Sequence, residues 1–348
     1  MQYSTFGSIT GLRVSEFALG TANFGTACGS GAGPDGARQL FDRYTSAGGC
    51  FIDTASNYQD GEAEKVLAGC ITSERDHLVL ASKFGRGSGR KTHVSAAGNS
   101  RRAMVQSVEK SLRNLRTDRL DLFWVHYDDG VTPIDEIIRS FDDLVSSGKV
   151  LYAGVSNFPA WRVARGQTIA ELRGLSPLVG IQVEHSLVER TAERELIPMA
   201  EAFGLGVALY SPLGGGLLTG KYRGAAVGRQ TSLPDVVYRE DSPAKTAALD
   251  AVVEVADEIG VPPEAVAVAW QREFARRSAT TVVTLIGPRT MKQLDSYMAS
   301  LDVRLDGEQF DKLSHATAIR WGVPYESIAG PPDMGDRDRL ERHTVRIR

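Results

Sequence analysis

The sequence predicts an α/β protein built as a single (β/α)8 barrel of the TIM type, with extended loops and a C-terminal tail. Three observations predict it. Eight short apolar runs recur along the 348 residues, most of them continuous and rich in Val, Ile and Leu, as strands buried on both faces require. Amphipathic segments of helical length separate them. No change of composition and no linker divides the chain, and about 250 residues suffice for such a barrel. Residues 1–348 therefore read as one domain, with 320–348 a tail lacking clear periodicity.

Taken in order, the runs are Phe17–Gly20 (the weakest), Phe51–Asp53, Leu78–Lys83, Leu120–His126, Leu151–Val155, Gly180–Val183, Gly206–Tyr210 and Thr281–Ile286. Ala37–Ala47 reads as a helix because Pro34-Asp35 precedes it and Gly48-Gly49 follows. Arg101–Leu115 carries a helical stripe at Val105, Val108, Leu112 and Leu115. Pro133–Val145 starts behind Thr132 as cap, with proline in the first turn. Glu193–Phe203, Ala247–Ile259, Pro263–Phe274 and Thr290–Leu301 complete the helices, the last with Thr290 and Gln293 spaced as a capping box. Phe84–Ser100, Gly-rich and basic, and Leu213–Pro243 read as long loops.

Composition narrows the function. With 40 basic and 43 acidic side chains the net charge is −3, which argues against a nucleic-acid binder. Cys28, Cys50 and Cys70 are odd in number and lack metal-type spacing, so a reducing, cytoplasmic compartment is expected. No run approaches the ~18 apolar residues of a membrane span, and the N-terminus lacks the pattern of a signal peptide.

In barrels of this kind the active site lies at the C-terminal ends of the strands. Those ends carry Asp53 (with Tyr58 five residues on), Lys83, His126, Ser156-Asn157, Gln182, Tyr210-Ser211, and Gly287 with Arg289 beyond. Singly, each has an ordinary structural explanation: a capping Asp, a solvated Lys, a packed His. Jointly, Asp, Tyr, Lys and His around one rim are not a set that independent accidents readily assemble.

The stretches Phe51-Ile-Asp-Thr-Ala-Ser-Asn-Tyr58, Ala81-Ser-Lys-Phe84, Leu122-Phe-Trp-Val-His126 and Gly154-Val-Ser-Asn-Phe158 resemble the aldo-keto reductase superfamily. So do Gln182-Val-Glu-His-Ser-Leu187, Tyr210-Ser-Pro-Leu213, Thr219-Gly-Lys-Tyr222 and Ile286-Gly-Pro-Arg289. The flavour is that of bacterial members related to potassium-channel β-subunits. The resemblance implies catalytic roles for Asp53, Tyr58, Lys83 and His126. It also implies NADPH/NADP+ as cofactor, with contacts from Gly20, Thr21, Asp53, Ser156, Asn157, Gln182, Tyr210, Ser211, Leu213, Gly215, Lys221, Gly287, Arg289 and Gln293. Tyr297 and His185 depart from the family's usual Asn and Tyr.

The residues support that chemistry independently. Carbonyl reduction needs a hydride, which a nicotinamide must supply, a proton donor, and a group to polarise the oxygen. Tyr58 is the natural proton donor, Lys83 the cation expected to lower its pKa, Asp53 the anion that holds Lys83, and His126 the group that orients the carbonyl. Ser156, Asn157 and Gln182 offer hydroxyl and amide groups to the carboxamide, and Tyr210 a face for stacking. Ser211–Lys221 offers N–H groups and a cation to a pyrophosphate, and Arg289 a fork for a 2′-phosphate. For Thr290 and Gln293, helix capping competes with a cofactor contact.

Three look-alike motifs fail. Gly29-Ser-Gly-Ala-Gly-Pro34 has proline where a dinucleotide fingerprint needs glycine, and Gly215-x4-Gly220-Lys221 continues with Tyr222 where a P-loop needs Ser or Thr. Gly154-Val-Ser-Asn-Phe158 lacks the last glycine of a hydrolase elbow. The expected function is NADPH-dependent reduction of a small-molecule aldehyde or ketone. The alternatives are a nicotinamide-binding regulatory subunit with little turnover, a hydrolase using Ser156, and a reductase of a nucleotide-linked keto sugar. That last idea rests on Arg86, Arg90, Lys91, Arg101 and Arg102, clustered after the third run without an acidic residue.

Overall fold

The computed structural model describes residues 1–87, 93–224 and 238–326. Eight parallel strands close into a barrel: β3 (Phe17–Gly20), β4 (Phe51–Asp53), β5 (Val79–Phe84), β6 (Leu120–Val125), β7 (Val150–Ser156), β8 (Leu178–Glu184), β9 (Gly206–Tyr210) and β10 (Val282–Ile286). Consecutive strands are neighbours, and β10 closes the ring between β9 and β3. The helices are α1 (Pro34–Ser46), α2 (Glu62–Ile71), α3 (Arg101–Leu115), α4 (Ile134–Ser146), α5 (Ala160–Arg173), α6 (Leu196–Phe203), α7 (Pro243–Ile259), α8 (Pro263–Arg277), α9 (Met291–Ala299) and α10 (Gly307–Ala316).

All eight predicted strands exist, with ends shifted by a residue or two. An antiparallel hairpin, β1 (Tyr3–Thr5) with β2 (Arg13–Ser15), was not expected. Neither were α2, α5 and α10. Small and polar residues on their buried faces (Ala63, Glu64 and Ala68 in α2; Arg162, Gly166 and Gln167 in α5) blur the apolar stripe. Thr132 does not cap α4: Pro133 holds the cap position and the Thr132 hydroxyl donates to Asp129 at 2.6 Å. Val105 of α3 is 40% exposed and Met104 packs in its place. The segment 193–203 divides into a 3-10 turn at Thr191–Glu193 and α6, and 213–243 contains 3-10 turns at Gly214–Thr219 and Lys221–Gly224. Thr290 caps α9 by accepting from the Gln293 N–H, but the Gln293 side chain reaches back to the N–H of Arg289, so the box is only half made. Of the predicted tail, 327–348 lies outside the described residues.

Side chains alternate across a strand, so residues two apart share a face. The outward set, including Leu19, Ile52, Leu80 and Phe123, packs against the helices through Phe41, Leu67, Met104, Ile137 and Phe141. The inward set, including Ala18, Phe51, Ala81, Leu122, Trp124, Ala208 and Val283, fills the barrel together with Phe6, which follows β1. The Phe6 ring meets Phe51 and Trp124 edge-on, with centroids 5.9 and 6.2 Å apart. Room for it comes from glycine. A Cβ at Gly180 or Gly206 would run into the Phe6 ring, and one at Gly154 into Trp124. The floor is thus packed solid, and the inward positions above it open toward the C-terminal rim.

Candidate active site

The same two-residue period lifts polar groups onto that rim. Asp53 follows Phe51 on the inner face, Lys83 follows Ala81, and His126 follows Trp124. Lys83 is fully buried and Asp53 is 1% exposed, and they form a direct ion pair. Lys83 Nζ also donates to the Thr54 carbonyl and to the Tyr58 hydroxyl, each at 2.9 Å, and stands 4.6 Å from the Tyr58 ring centroid. The other Asp53 oxygen accepts from Gln182 Nε2 at 3.0 Å. The His126 ring lies edge-on to Tyr58, centroids 5.7 Å apart. The four expected catalytic residues therefore stand together.

Tyr58 is presented by a tight turn. Ser56 N–H donates to the Lys83 carbonyl, tying the turn to β5, and Gln59 (φ 49°), Asp60 (φ 55°) and Gly61 (φ 88°) all lie in the left-handed region. That conformation costs roughly 1–2 kcal/mol for each residue with a Cβ, so neighbouring contacts must hold Gln59 and Asp60 there.

Electrostatics corrects one expectation. Lys83 does pull the Tyr58 pKa down, but burial outweighs it, and the phenol lies above its ordinary value. Tyr58 therefore keeps its proton at neutral pH. Burial also works against the charge of Lys83, yet Asp53 and Tyr58 hold the ammonium above its ordinary value. Burial, Lys83 and Arg86 push His126 down to about 2, so its imidazole is neutral. Among the described residues its Nδ1 has no hydrogen-bond partner, so none of their carboxylates orients it as a hydrolase triad would need.

The remaining predicted residues ring the same opening. Thr21 N–H donates to the Asp53 carbonyl at 2.9 Å, and Gly20 passes close to the Ile286 carbonyl. Asn157 Nδ2 donates to the His126 carbonyl at 3.0 Å and to Ser156 Oγ at 2.9 Å, while its Oδ1 accepts from the Tyr210 hydroxyl at 2.8 Å. Asn157 thus ties β6, β7 and β9 together. Both it and Gln182 already carry protein partners, which leaves each fewer free atoms for a carboxamide than expected. Ser211 is left-handed (φ 59°), and Gly214, Gly215 and Gly216 continue with φ of 54°, 65° and 105° after Leu213. Lys221 lies over the Tyr222 ring. Gly287 O accepts from Asn23 Nδ2 at 2.8 Å, and Arg289 stands before α9. Among the described residues no carboxylate pairs with Lys221 or Arg289. A glycine turn rich in N–H groups, two uncompensated cations and a nine-residue helix start fit a phosphate-bearing dinucleotide. No metal-binding group of His, Cys, Asp or Glu occurs among the described residues.

Sequence reading missed Tyr127 and Gln59. Tyr127 is 39% exposed, stacks on His126 at 4.9 Å and lies under Arg86 at 5.2 Å. Gln59 is buried and reaches back into the loop after β3. Only adjacency to His126 and Tyr58 marked either one. His185 is a core residue, bonded to Glu193 at 2.8 Å and stacked on Trp270.

A barrel carrying a buried Asp–Lys–Tyr chain beside a neutral His at its rim defines an oxidoreductase of the carbonyl-reducing type. The chain matches the model of the Aldo/keto reductase family over residues 16–318. It is 34% identical to norsolorinic acid reductase stcV of Emericella nidulans, over 97% of this chain and 88% of that protein. It is 33% identical to the putative aryl-alcohol dehydrogenase AAD14 of Saccharomyces cerevisiae (92% and 88%). It is 34% identical to the uncharacterized oxidoreductase YrpG of Bacillus subtilis (88% and 93%). The chain belongs to the aldo-keto reductase family and is one of its oxidoreductases, acting on small molecules. No helix among the described residues is long and apolar enough to cross a membrane.

Proposed function

We propose that the chain is an NADPH-dependent reductase that converts an aldehyde or ketone to an alcohol, with Tyr58 as proton donor. The observation that carries this reading is the 2.9 Å contact between the Tyr58 hydroxyl and Lys83 Nζ, with Asp53 paired to that same ammonium. The bound nicotinamide supplies the hydride. Tyr58, protonated at rest, donates its O–H to the carbonyl oxygen. Lys83 stabilises the tyrosinate that results, and Asp53 balances Lys83 in a site that excludes water. Neutral His126 donates a hydrogen bond that orients the carbonyl. Ser156, Asn157 and Gln182 would hold the carboxamide, Tyr210 would offer its face to the ring, and Gly20, Thr21 and Gly287 would line the same site. Ser211, Leu213, Gly215 and Lys221 would cradle the pyrophosphate, and Arg289 with Gln293 would meet the 2′-phosphate end.

The substrate class we infer is aromatic. One relative is named a putative aryl-alcohol dehydrogenase, and the half-exposed Tyr127 ring beside His126 is a stacking surface at the rim. The keto-sugar alternative finds less support, since Arg101 pairs with Asp143 at 2.5 Å and Arg86 lies on Tyr127. Arg90 and Lys91 lie outside the described residues. Three unpaired cysteines suit a cytoplasmic, reducing setting for a single 1–348 domain. Placement near the bacterial, channel-β-subunit-like branch draws on the sequence motifs and the Bacillus relative. Stopped-flow oxidation of NADPH against a panel of aromatic and aliphatic carbonyls tests the reading. Tyr58→Phe is expected to lower kcat by about 10²–10⁴-fold while NADPH binds as before. Undiminished kcat would remove Tyr58 from the chemistry, and NADPH binding without turnover of any carbonyl would favour a regulatory subunit.

A further inference from the structure

The loop between β3 and α1, residues 21–33, contains Gly25, Gly29, Gly31 and Gly33 and has little conformational preference of its own. It is nevertheless fully held. At its start Thr21 N–H donates to the Asp53 carbonyl and Asn23 Nδ2 to Gly287 O, and near its end Ala32 N–H donates to the Asn23 carbonyl. Its middle is held from the turn that carries Tyr58. Gln59 Oε1 accepts from Cys28 N–H at 2.9 Å, and Gln59 Nε2 donates to the Ala22 and Ser30 carbonyls, each at 3.1 Å. Three residues later, Glu62 accepts from the Thr26 and Ala27 N–H groups at 2.7 and 2.8 Å. Gln59 makes its three bonds from a left-handed backbone, with its side chain turned back to the loop while the Tyr58 hydroxyl meets Lys83.

We propose that Gln59 is a positioning residue that clamps the 21–33 loop into a fixed wall beside Tyr58, and that this wall governs how tightly the carbonyl substrate is held. The proposal rests on the reductase reading above. It separates two roles within one turn: Tyr58 moves the proton, and Gln59 shapes the space in which the carbonyl sits.

Gln59→Gly tests it, because glycine accepts the left-handed backbone and removes only the side chain. The Cys28 N–H is held by Gln59 Oε1, so its deuterium labelling, followed by peptide mass spectrometry, reports loop opening. Deuterium labelling at Cys28 should speed up roughly ten-fold or more, the scale of three lost hydrogen bonds. KM for a substituted benzaldehyde should rise several-fold, with kcat and its pH profile little changed. Unaltered Cys28 labelling overturns the clamp. A looser loop with unchanged KM overturns the wall, and a fall in kcat with a shifted pH profile means that Gln59 acts through Tyr58 instead. Should Gln59→Gly fail to fold, Gln59→Asn, which tolerates this backbone but is too short to reach the loop, answers the same question. A wild type that reduces no carbonyl would sink the reductase reading, while Cys28 labelling would still judge the clamp.

Discussion

His126 is the residue whose charge state the fold decides most strongly. Its ordinary pKa is about 6.5, and in the folded site it lies at about 2. Below pH 6.5 the unfolded chain takes up a proton that the folded site refuses. Stability from this group is therefore complete above pH 6.5 and falls as the pH drops, by about 1.4 kcal/mol per unit, until the folded pKa is reached. Urea unfolding of the wild type between pH 7.5 and 5 should show a loss of about 2 kcal/mol that His126→Asn lacks. Parallel losses in both proteins would assign the titration elsewhere. The same depressed pKa means that no imidazole step should appear in the pH–rate profile between pH 5 and 8. The candidate catalytic set was legible in sequence as a grouping, because strand-end position and residue type mark Asp53, Lys83 and His126. The resting state of Tyr58 was not, because it depends on how far burial outweighs Lys83.

At the scale of elements, the floor of the barrel depends on what the glycines leave open. Gly180 on β8 and Gly206 on β9 leave space for the Phe6 ring, and Gly154 on β7 leaves space for Trp124. Gly180→Ala would push a methyl into a ring that is itself fully buried, so it should destabilise by about 1–3 kcal/mol, the usual cost of overpacking. Phe6→Ala should cost about 3–5 kcal/mol through the cavity it leaves. Chemical denaturation measures both. If the Gly180 variant is as stable as the wild type, the floor is not tightly packed. The hairpin that delivers Phe6 escaped sequence reading because its two three-residue strands are too short to carry a pattern. Helices α2 and α5 escaped for the opposite reason: small and polar side chains occupy buried positions, and the stripe that normally betrays a helix is broken.

At the scale of the whole molecule, the cofactor reading spans the rim from Thr21 to Arg289, so a bound dinucleotide braces strands distant in sequence. At one hundred times Kd a ligand adds about 2.7 kcal/mol to the folded state. For a chain of 348 residues, thermal unfolding should move up by roughly 4 °C at that concentration of NADPH. NADH at the same concentration should move it less, because it lacks the phosphate that Arg289 is proposed to read. Arg289→Ala should erase that difference through the loss of a charge-assisted bond worth about 1.5–3 kcal/mol. Equal shifts by both cofactors in the wild type would remove Arg289 from the 2′-phosphate.

The barrel, and the strand ends that bring the candidate catalytic residues together, were legible in the chain alone. Strand periodicity is local, and so is the placing of polar residues where strands end, so both survive in a one-dimensional reading. Tertiary structure alone decided the rest. That Gln182 and Lys83 share Asp53, that Asn157 is bonded to His126 and Tyr210, and that Gln59 holds a glycine-rich loop are contacts between residues 29 to 129 positions apart. The Gln182–Asp53 pairing requires the sheet to close on itself, which brings β8 opposite β4, whereas the loop after β3 meets the turn after β4 because those strands pair side by side. Protonation follows the same rule, since burial is a property of the closed barrel and of no residue read alone.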